Sequence, residues 1–224
     1  MSSNGKTERE VPNTRLAVIS SITGILACLC DLVFTRLLAM QYPGYKPLLQ
    51  PMSDLGDAGS PVAGLASTWW IVMGLMFIIF AYGFYRTLHH LGKPAQAAGW
   101  MIAVYGIGEG LGSALVPGSP GHAFRTTNSI VHNILGGFGV LAIILIPFFI
   151  MKICRARHWT LLYGYSWFTT VSGISFFVLF SISFFYHPAG SWISYNGLWQ
   201  RLFMLVYYLY LICLAALMLT RKKL

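Results

Sequence analysis

Charged residues are scarce in this chain. Asp, Glu, Lys and Arg together make up 9% of its 224 residues, whereas an ordinary soluble domain carries about 25%. A water-soluble fold cannot cover its surface with so few charges, and 56% of the chain is hydrophobic instead. This shortage excludes an ordinary soluble domain and indicates a surface that faces lipid.

Cysteine is also scarce. The chain has four, with no C-x-x-C pair and no histidine at the spacing of a zinc motif: Cys28, Cys30, Cys154 and Cys213. We therefore predict neither a disulfide framework nor a zinc finger, and interpret the cysteines as small core residues.

The long apolar runs lack the alternation of polar and apolar residues that is typical of membrane barrels. They are about 19 to 26 residues long, and about 20 helical residues cross a hydrocarbon core of roughly 30 Å. Backbone amides in lipid must also pair within their own segment, which a helix achieves. We predict an all-α, polytopic membrane bundle of about six transmembrane helices, with these spans: Leu16–Met40, Leu65–Tyr85, Ala97–Leu115, Ser129–Ile153, Thr160–Phe185 and Leu198–Thr220.

The chain divides into three parts around this bundle. Residues 1–15 form a predicted flexible cytoplasmic tail, residues 16–220 a single six-helix domain, and residues 221–224 a basic cytoplasmic end. A long external loop at 41–64 interrupts the domain. It is rich in Pro and Gly, and loops of this length are usually functional or disordered.

The positions of lysine and arginine predict the orientation, because positive residues stay on the cytoplasmic side of a membrane. Eleven of the fifteen lie in the tail, the second and fourth connections and the C-terminus, against four on the other side. We expect a multi-pass protein of the cell membrane with both termini in the cytoplasm. Because these charges lie at helix ends rather than in one patch, we predict lipid, and not nucleic acid, as the partner.

Ionisable residues inside the spans collect at one depth. Asp31 and Glu109 lie in the outer halves of the first and third spans, His132 and Asn133 near the external start of the fourth, and Arg201 near that of the sixth. Such groups are costly in a membrane and by default mark a functional site or a buried pair. We predict that Glu109, His132 and Arg201 converge on one outward-facing cavity.

Side-chain chemistry suggests roles for these residues. Carboxylates and imidazoles are the usual acid and base groups, so the candidate catalytic residues are Glu109, His132 and Asp54. The candidate substrate-binding residues are Arg201 as an anion clamp, with Ser53, Asn133, Asp31 and Arg125. The sequence names no cofactor and leaves a metal open, with these candidate ligands: His122, His132, Asp54 and Asp57.

Each of these residues also has a structural interpretation that the sequence leaves open. Asp31 or Glu109 would pair with Arg36 or Arg201 inside the bundle. His132 would form a hydrogen bond between helices. Function is favoured for the group as a whole, because a purely structural bundle can use Ser or Thr at a lower desolvation cost.

Two motifs carry similar alternatives. In the Ser53–Gly56 motif SDLG, Ser53 or Asp54 caps a turn before the second span, or Asp54 enters the site as a base or ligand. A Ser53, His132 and Asp54 triad is disfavoured because no nucleophile-elbow motif is present.

The segment 106–112, GIGEGLG, surrounds Glu109 with four glycines. Gly106 and Gly110, like Gly108 and Gly112, have the G-x-x-x-G spacing of close helix contacts. Glycine on both faces also leaves room for a ligand beside the carboxyl group.

The order of motifs along the chain resembles a known family. YP follows the first span, SDLG comes next, the third span is rich in glycine, His132 lies on the fourth and GLWQR opens the sixth at Gly197–Arg201. This order resembles the membrane family catalogued as domain of unknown function 998, over most of the chain. The resemblance implies six spans and an outward polar cluster with Asp54, His132 and Arg201, and it brings no settled activity.

We expect a membrane-embedded enzyme that acts on a lipid or other amphiphile at the external leaflet, hydrolysis being one candidate reaction. One alternative is a small-molecule or proton-coupled binding or transport protein, and another is a structural membrane subunit. Transport requires a second polar layer in the cytoplasmic halves of the helices, which show almost none. The sequence therefore favours the enzyme.

Overall fold

The computed structural model describes residues 14–118, 126–186 and 191–220, and these residues form an all-α bundle without β-strands. The third helix, α3, starts as Lys93–Tyr105, continues as a π-helical segment, Gly106–Gly112, and ends in the turn Ser113–Leu115. The other long helices are α1 (Thr14–Gln41), α2 (Ala63–Leu88), α4 (Thr127–Arg157), α5 (Thr160–Tyr186) and α6 (Asn196–Leu219). Short 3₁₀ helices cover Met52–Gly56, His89–Leu91 and Trp192–Ser194.

Five of these helices are long and apolar enough to cross a membrane: α1, α2, α4, α5 and α6. The prediction of an all-α, multi-pass membrane bundle is therefore confirmed. Each predicted span end lies within four residues of an observed helix end. The helix α3 is not among the five, because the π-helical segment divides it.

The six helices of the described chain form a closed ring. Each helix packs mainly against its neighbours in sequence, and α1 closes the ring against α6. Long connections follow α1, α3 and α5, so they meet at one end of the bundle, here called the loop end. The other end, here called the terminal end, holds the first residues of α1, the last residues of α6 and the short connections after α2 and α4.

The surface of α5 shows how the bundle meets lipid. Its buried residues are small or polar, namely Ser166, Thr169, Thr170, Gly173 and Ser183. Its exposed residues include large apolar side chains such as Phe168, Val171 and Val178. Small residues allow membrane helices to approach closely, and an apolar surface of this extent marks a lipid interface.

The glycines of the π-helical segment pack on two different helices. A Cβ atom on Gly74 of α2 would lie 2.7 Å from the carbonyl oxygen of Gly106. A Cβ atom on Gly108 would lie 2.5 Å from the carbonyl oxygen of Leu135 on α4. Because real Cβ atoms do not approach so closely, larger residues at these positions would separate α3 from its neighbours.

All four cysteines are free. Cys28 and Cys154 are buried among apolar side chains of the core. The prediction that they form no disulfide framework is therefore confirmed.

Candidate functional site

A partly enclosed cavity of about 50 Å³ lies in the loop-end half of the ring. Every long helix except α5 contributes to its walls. Four of the predicted site residues line it: Asp31, Ser53, Glu109 and His132. Asp31 lies about 15 Å from the end of α1 at the loop end, at 1.5 Å of helix rise per residue, so this polar space is within the apolar bundle.

Glu109 reaches the cavity from the π-helical segment of α3 and lies over two glycines of α4. A Cβ atom on Gly136 would be 3.7 Å from Glu109 Oε1, and one on Gly139 would be 2.8 Å from Glu109 Cγ. Larger residues at these two positions would therefore take the space of the side chain. No group in the described chain donates a hydrogen bond to its carboxyl group, which leaves both oxygens available to water or a ligand. Such π-helical segments are rare in proteins, and those that occur frequently lie at functional sites.

Asp31 is held by neutral donors rather than by arginine. Trp69 Nε1 donates to Asp31 Oδ1 over 2.8 Å, and the Tyr208 hydroxyl donates to Asp31 Oδ2 over 2.8 Å. The Tyr105 hydroxyl lies 3.0 Å from that of Tyr208, and Trp69 stacks on Phe34 with ring centroids 4.4 Å apart. The pairing of Asp31 with Arg36 or Arg201, one of the structural interpretations, does not occur.

The ring of His132 is oriented by a backbone carbonyl group. His132 Nδ1 lies 2.8 Å from the carbonyl oxygen of Val116, and a carbonyl oxygen can only accept. Nδ1 therefore carries a proton, and in the neutral ring Nε2 keeps its lone pair. His132 is 9% exposed and lines the cavity, so its ring is placed to act as a base or acceptor there.

Asp57 lies beside His132 at the loop end. A Cβ atom on Gly118 would be 2.6 Å from Asp57 Oδ1 and 3.8 Å from His132 Cδ2, so both side chains face Gly118. Burial raises the pKa of Asp57, and the nearby His132 opposes that rise. Within the described ranges, no group of three or more His, Cys, Asp and Glu residues is placed to hold a metal ion. The candidate ligand His122 lies outside the described residues.

Arg201 is directed at the loop between α1 and α2, not at the cavity. Its Nη1 donates to the carbonyl oxygens of Pro47, Gln50 (3.1 Å) and Gly197 (2.9 Å), and its Nη2 donates to the Tyr45 hydroxyl over 2.8 Å. The preceding residue, Gln200, does line the cavity. Successive residues of a helix point about 100° apart, which is why one enters the cavity and the other does not.

The loop is fastened to α6 at further points. The backbone N–H of Met52 donates to Gln200 Oε1 over 2.5 Å, and that of Leu198 donates to the carbonyl oxygen of Leu48 over 3.0 Å. The Tyr45 hydroxyl donates to the carbonyl oxygen of Pro51 over 2.8 Å. The segment 45–52 therefore covers the bundle beside the cavity, and Met52 at its end and the following residue, Ser53, line the cavity.

Asp54 lies in the 3₁₀ helix Met52–Gly56, outside the cavity. Its pKa is raised from 3.8 to about 7, first by burial and then by the charge of Asp57, while a hydrogen bond from Gln50 and the charge of Arg201 lower it. The N-cap position of this 3₁₀ helix is occupied by Pro51, and no side chain makes a capping hydrogen bond there. The capping interpretation of Ser53 or Asp54 therefore does not apply to this helix.

The stability of the protein is expected to decrease as pH rises through the range set by Asp54. A carboxyl group whose pKa is higher in the folded state stabilises that state while it is protonated, and this stabilisation is lost as pH rises from about 4 through about 7. We expect the thermal midpoint in detergent to fall between pH 5 and pH 8, and to fall less in Asp54→Asn. The pKa of Asp57 is also raised, so the thermal midpoint of Asp54→Asn is still expected to fall somewhat with pH. Equal slopes for both proteins would contradict this assignment.

The remaining predicted residues are distributed as follows. Asn133 is half-buried beside His132 and does not line the cavity. Arg125 lies outside the described residues. The triad of Ser53, His132 and Asp54 is not assembled, because His132 Nδ1 bonds to a backbone carbonyl oxygen and Asp54 is outside the cavity.

Sequence reasoning missed several residues of the site, among them Tyr105, Tyr208, Ser113 and Gln200. Tyr105 and Ser113 precede and follow Glu109 by four residues, and this is the spacing of neighbours on one helix face. That spacing is the signal that could have identified them. Tyr208 carries no such signal, because it is one of three tyrosines close together in α6, at 207, 208 and 210.

An all-α multi-pass bundle with an internal polar cavity defines the class: a polytopic membrane protein with a polar cavity among its helices. The model of the family described as Protein of unknown function (DUF998) matches residues 25–217. The chain belongs to this family, and the resemblance seen in its motifs is confirmed. No curated protein and no solved structure matches the chain significantly.

Proposed function

We propose that this protein is a membrane-embedded enzyme that carries out acid and base chemistry on a lipid or other amphiphile at the external leaflet. One observation carries the proposal. The Glu109 carboxyl group and the His132 imidazole line the same cavity, and Glu109 has no hydrogen-bond donor within the described chain. A titratable pair left accessible in a cleft is typical of catalytic sites.

The walls of the cavity suit an amphiphile. Beside the polar groups, they include the ring of Trp70 and the thioethers of Met73 and Met204. Methionine is flexible and polarizable and adapts to irregular apolar ligands. We assign Glu109 as the acid and base group that exchanges a proton with the substrate, and His132 Nε2 as a second base.

The terminal end of the bundle gives no support to transport. A second cavity there holds only about 20 Å³ and is lined by apolar side chains such as Phe84, Leu88 and Trp159. Between the two cavities, Phe77 and Ile143 are fully buried. A solute path across the membrane needs polar groups at both ends, so the enzyme is favoured over the transporter.

A structural subunit is also disfavoured. In that case the carboxylates would be buried in pairs with arginine, but Arg201 bonds to the loop and Asp31 bonds to tyrosine and tryptophan. Glu109, without such a partner, is the residue that a purely structural role does not explain.

The proposal is tested by comparing lipid extracts from cells that express the wild-type protein, Glu109→Gln, or neither. An enzyme depletes one lipid or amphiphile and accumulates its product only with the wild-type protein. Candidate substrates found in this way are then tested with purified protein in nanodiscs. Identical extracts from all three strains, with the protein present and folded, would overturn the enzyme.

We also propose that α3 is the sixth crossing and that both termini are cytoplasmic. The terminal end carries six described cations, Arg15, Arg86, Lys93, Lys152, Arg155 and Arg157, whereas the described loop end carries three, Arg36, Lys46 and the loop-bound Arg201. Lysine and arginine are retained on the cytoplasmic side.

Reporter fusions at the two termini are expected to give the same, cytoplasmic, signal. A reporter inserted at Gly59, in the connection between α1 and α2, is expected to be active only outside the cytoplasm. The two termini together distinguish six membrane crossings from five, because five crossings would place them on opposite sides of the membrane. Opposite signals from the two ends would therefore exclude α3 as a crossing.

A further inference from the structure

The charges around the loop-end cavity restrict what it can bind. Its described lining includes two carboxyl groups, Asp31 and Glu109, and neither lysine nor arginine. The nearest candidate cation, Arg201, has its guanidinium group bound to the loop by Tyr45 and backbone carbonyl oxygens. A phosphate or carboxylate group in this space would therefore meet like charge without a balancing cation from the described residues.

The hydrogen bonds around Asp31 also have a direction. Both oxygens of Asp31 accept, one from Trp69 and one from Tyr208. The Tyr208 hydroxyl has a single proton, which this bond uses, so in the contact with Tyr105 it is Tyr105 that donates. The Tyr105 oxygen then keeps its lone pairs as acceptors in the cavity wall.

Three acceptor groups therefore line the cavity from two helices. The first is the Glu109 carboxyl group, which has no donor among the described residues, and the second is the Tyr105 oxygen. The third is Nε2 of the 9% exposed His132, whose Nδ1 is already bonded to Val116. An ammonium group has three donors and no acceptor. The rings of Trp70, Tyr105 and Tyr208 in the same wall offer aromatic surface, which attracts cations.

We infer that this cavity binds the ammonium group of a primary amine, carried on an amphiphile whose tail extends toward lipid. For the proposed enzyme, this amine is the substrate class. Only its role as a substrate rests on the proposed function, since binding does not require turnover. Arg201 then serves the loop and has no part in binding an anion.

The test uses purified wild-type protein in phosphatidylcholine nanodiscs, which contain no primary ammonium group. Dodecylamine, dodecanol and dodecyl phosphate share one tail and differ in charge, while propylamine has the charge without the tail. Thermal unfolding and titration calorimetry, with empty nanodiscs as blanks, report binding. We expect dodecylamine alone among the dodecyl probes to raise the midpoint by several degrees, and propylamine to bind more weakly.

Glu109→Gln is expected to weaken dodecylamine binding at least about 10-fold, because a charge-assisted hydrogen bond is lost. Glu10→Gln removes the same charge outside the described residues and is expected to leave binding unchanged. If Glu109→Gln does not fold, Tyr105→Phe replaces it and is expected to weaken binding in the same direction.

Equal or tighter binding of dodecyl phosphate, or dodecylamine binding that survives both cavity substitutions, would overturn the inference. Propylamine binding as tight as that of dodecylamine would overturn its amphiphilic part and assign a free amine. Dodecylamine binding without any lipid turnover would refute the proposed enzymatic function and leave the inferred amine binding intact. If the protein turned over a lipid that lacks an amine and did not bind dodecylamine, the inference of an amine ligand would be refuted and the proposed enzyme would stand.

Discussion

Glu109→Gln is expected to reduce turnover by about 100-fold or more while the folded protein retains its thermal stability. Glutamine has the shape of glutamate and fits over Gly136 and Gly139, but it cannot exchange a proton, and loss of acid or base catalysis typically costs 10²- to 10⁴-fold. No arginine pairs with Glu109 in the described chain, so the substitution leaves no cation stranded. The measurements are turnover in nanodiscs and the thermal midpoint in detergent.

The competing interpretation makes the opposite prediction. If Glu109 were half of a buried ion pair, removing its charge would cost roughly 3 to 5 kcal/mol of stability. Ile107→Leu is the matched control, because Ile107 lies in the same π-helical segment and is 51% exposed. It is expected to change neither measurement. Marked destabilisation of Glu109→Gln, with normal turnover in its folded fraction, would refute the catalytic role.

The sequence predicted the depth of the polar residues better than their direction. Helix rise per residue is fixed, so the spans alone placed Asp31, Glu109 and His132 at one level, and all three line the cavity. Direction around the helix axis is different, since these helices are apolar on nearly every side and carry little rotational signal. Arg201 was therefore predicted to share the cavity that its neighbour Gln200 occupies.

Contacts between distant segments account for the rest. The spacing of glycines in the 106–112 segment indicated close helix contacts, but only the packed bundle shows that one pair meets α2 and the other α4. Nothing local indicated that backbone carbonyl oxygens at Pro47 and Gln50 would bind Arg201, more than 150 residues away. Such partners depend on how the loop folds back over α6, and apolar periodicity carries no information about that path.

Arg201→Met is expected to lower the free energy of unfolding by about 3 kcal/mol and to loosen the loop. Three carbonyl oxygens and the Tyr45 hydroxyl each lose one donor. Gln50 and Tyr45 keep other partners, whereas a buried polar group left without a partner costs roughly 1 to 3 kcal/mol. The site is only partly buried and water replaces some of these bonds, so the expected loss is smaller than the sum over the four groups. Arg201→Lys is expected to recover part of the loss, because lysine keeps the charge but not the planar fork.

The measurements are chemical unfolding in detergent and hydrogen exchange of the backbone amides at 45–52. Arg36→Met is the matched control, since Arg36 is an exposed arginine near the loop end of α1, and surface changes of this kind usually stay within about 0.5 kcal/mol. An anion clamp would behave differently: stability and exchange would be unchanged, while binding of dodecyl phosphate would disappear. That result would return Arg201 to the binding site, and a cavity with a cation in its wall would no longer select an amine.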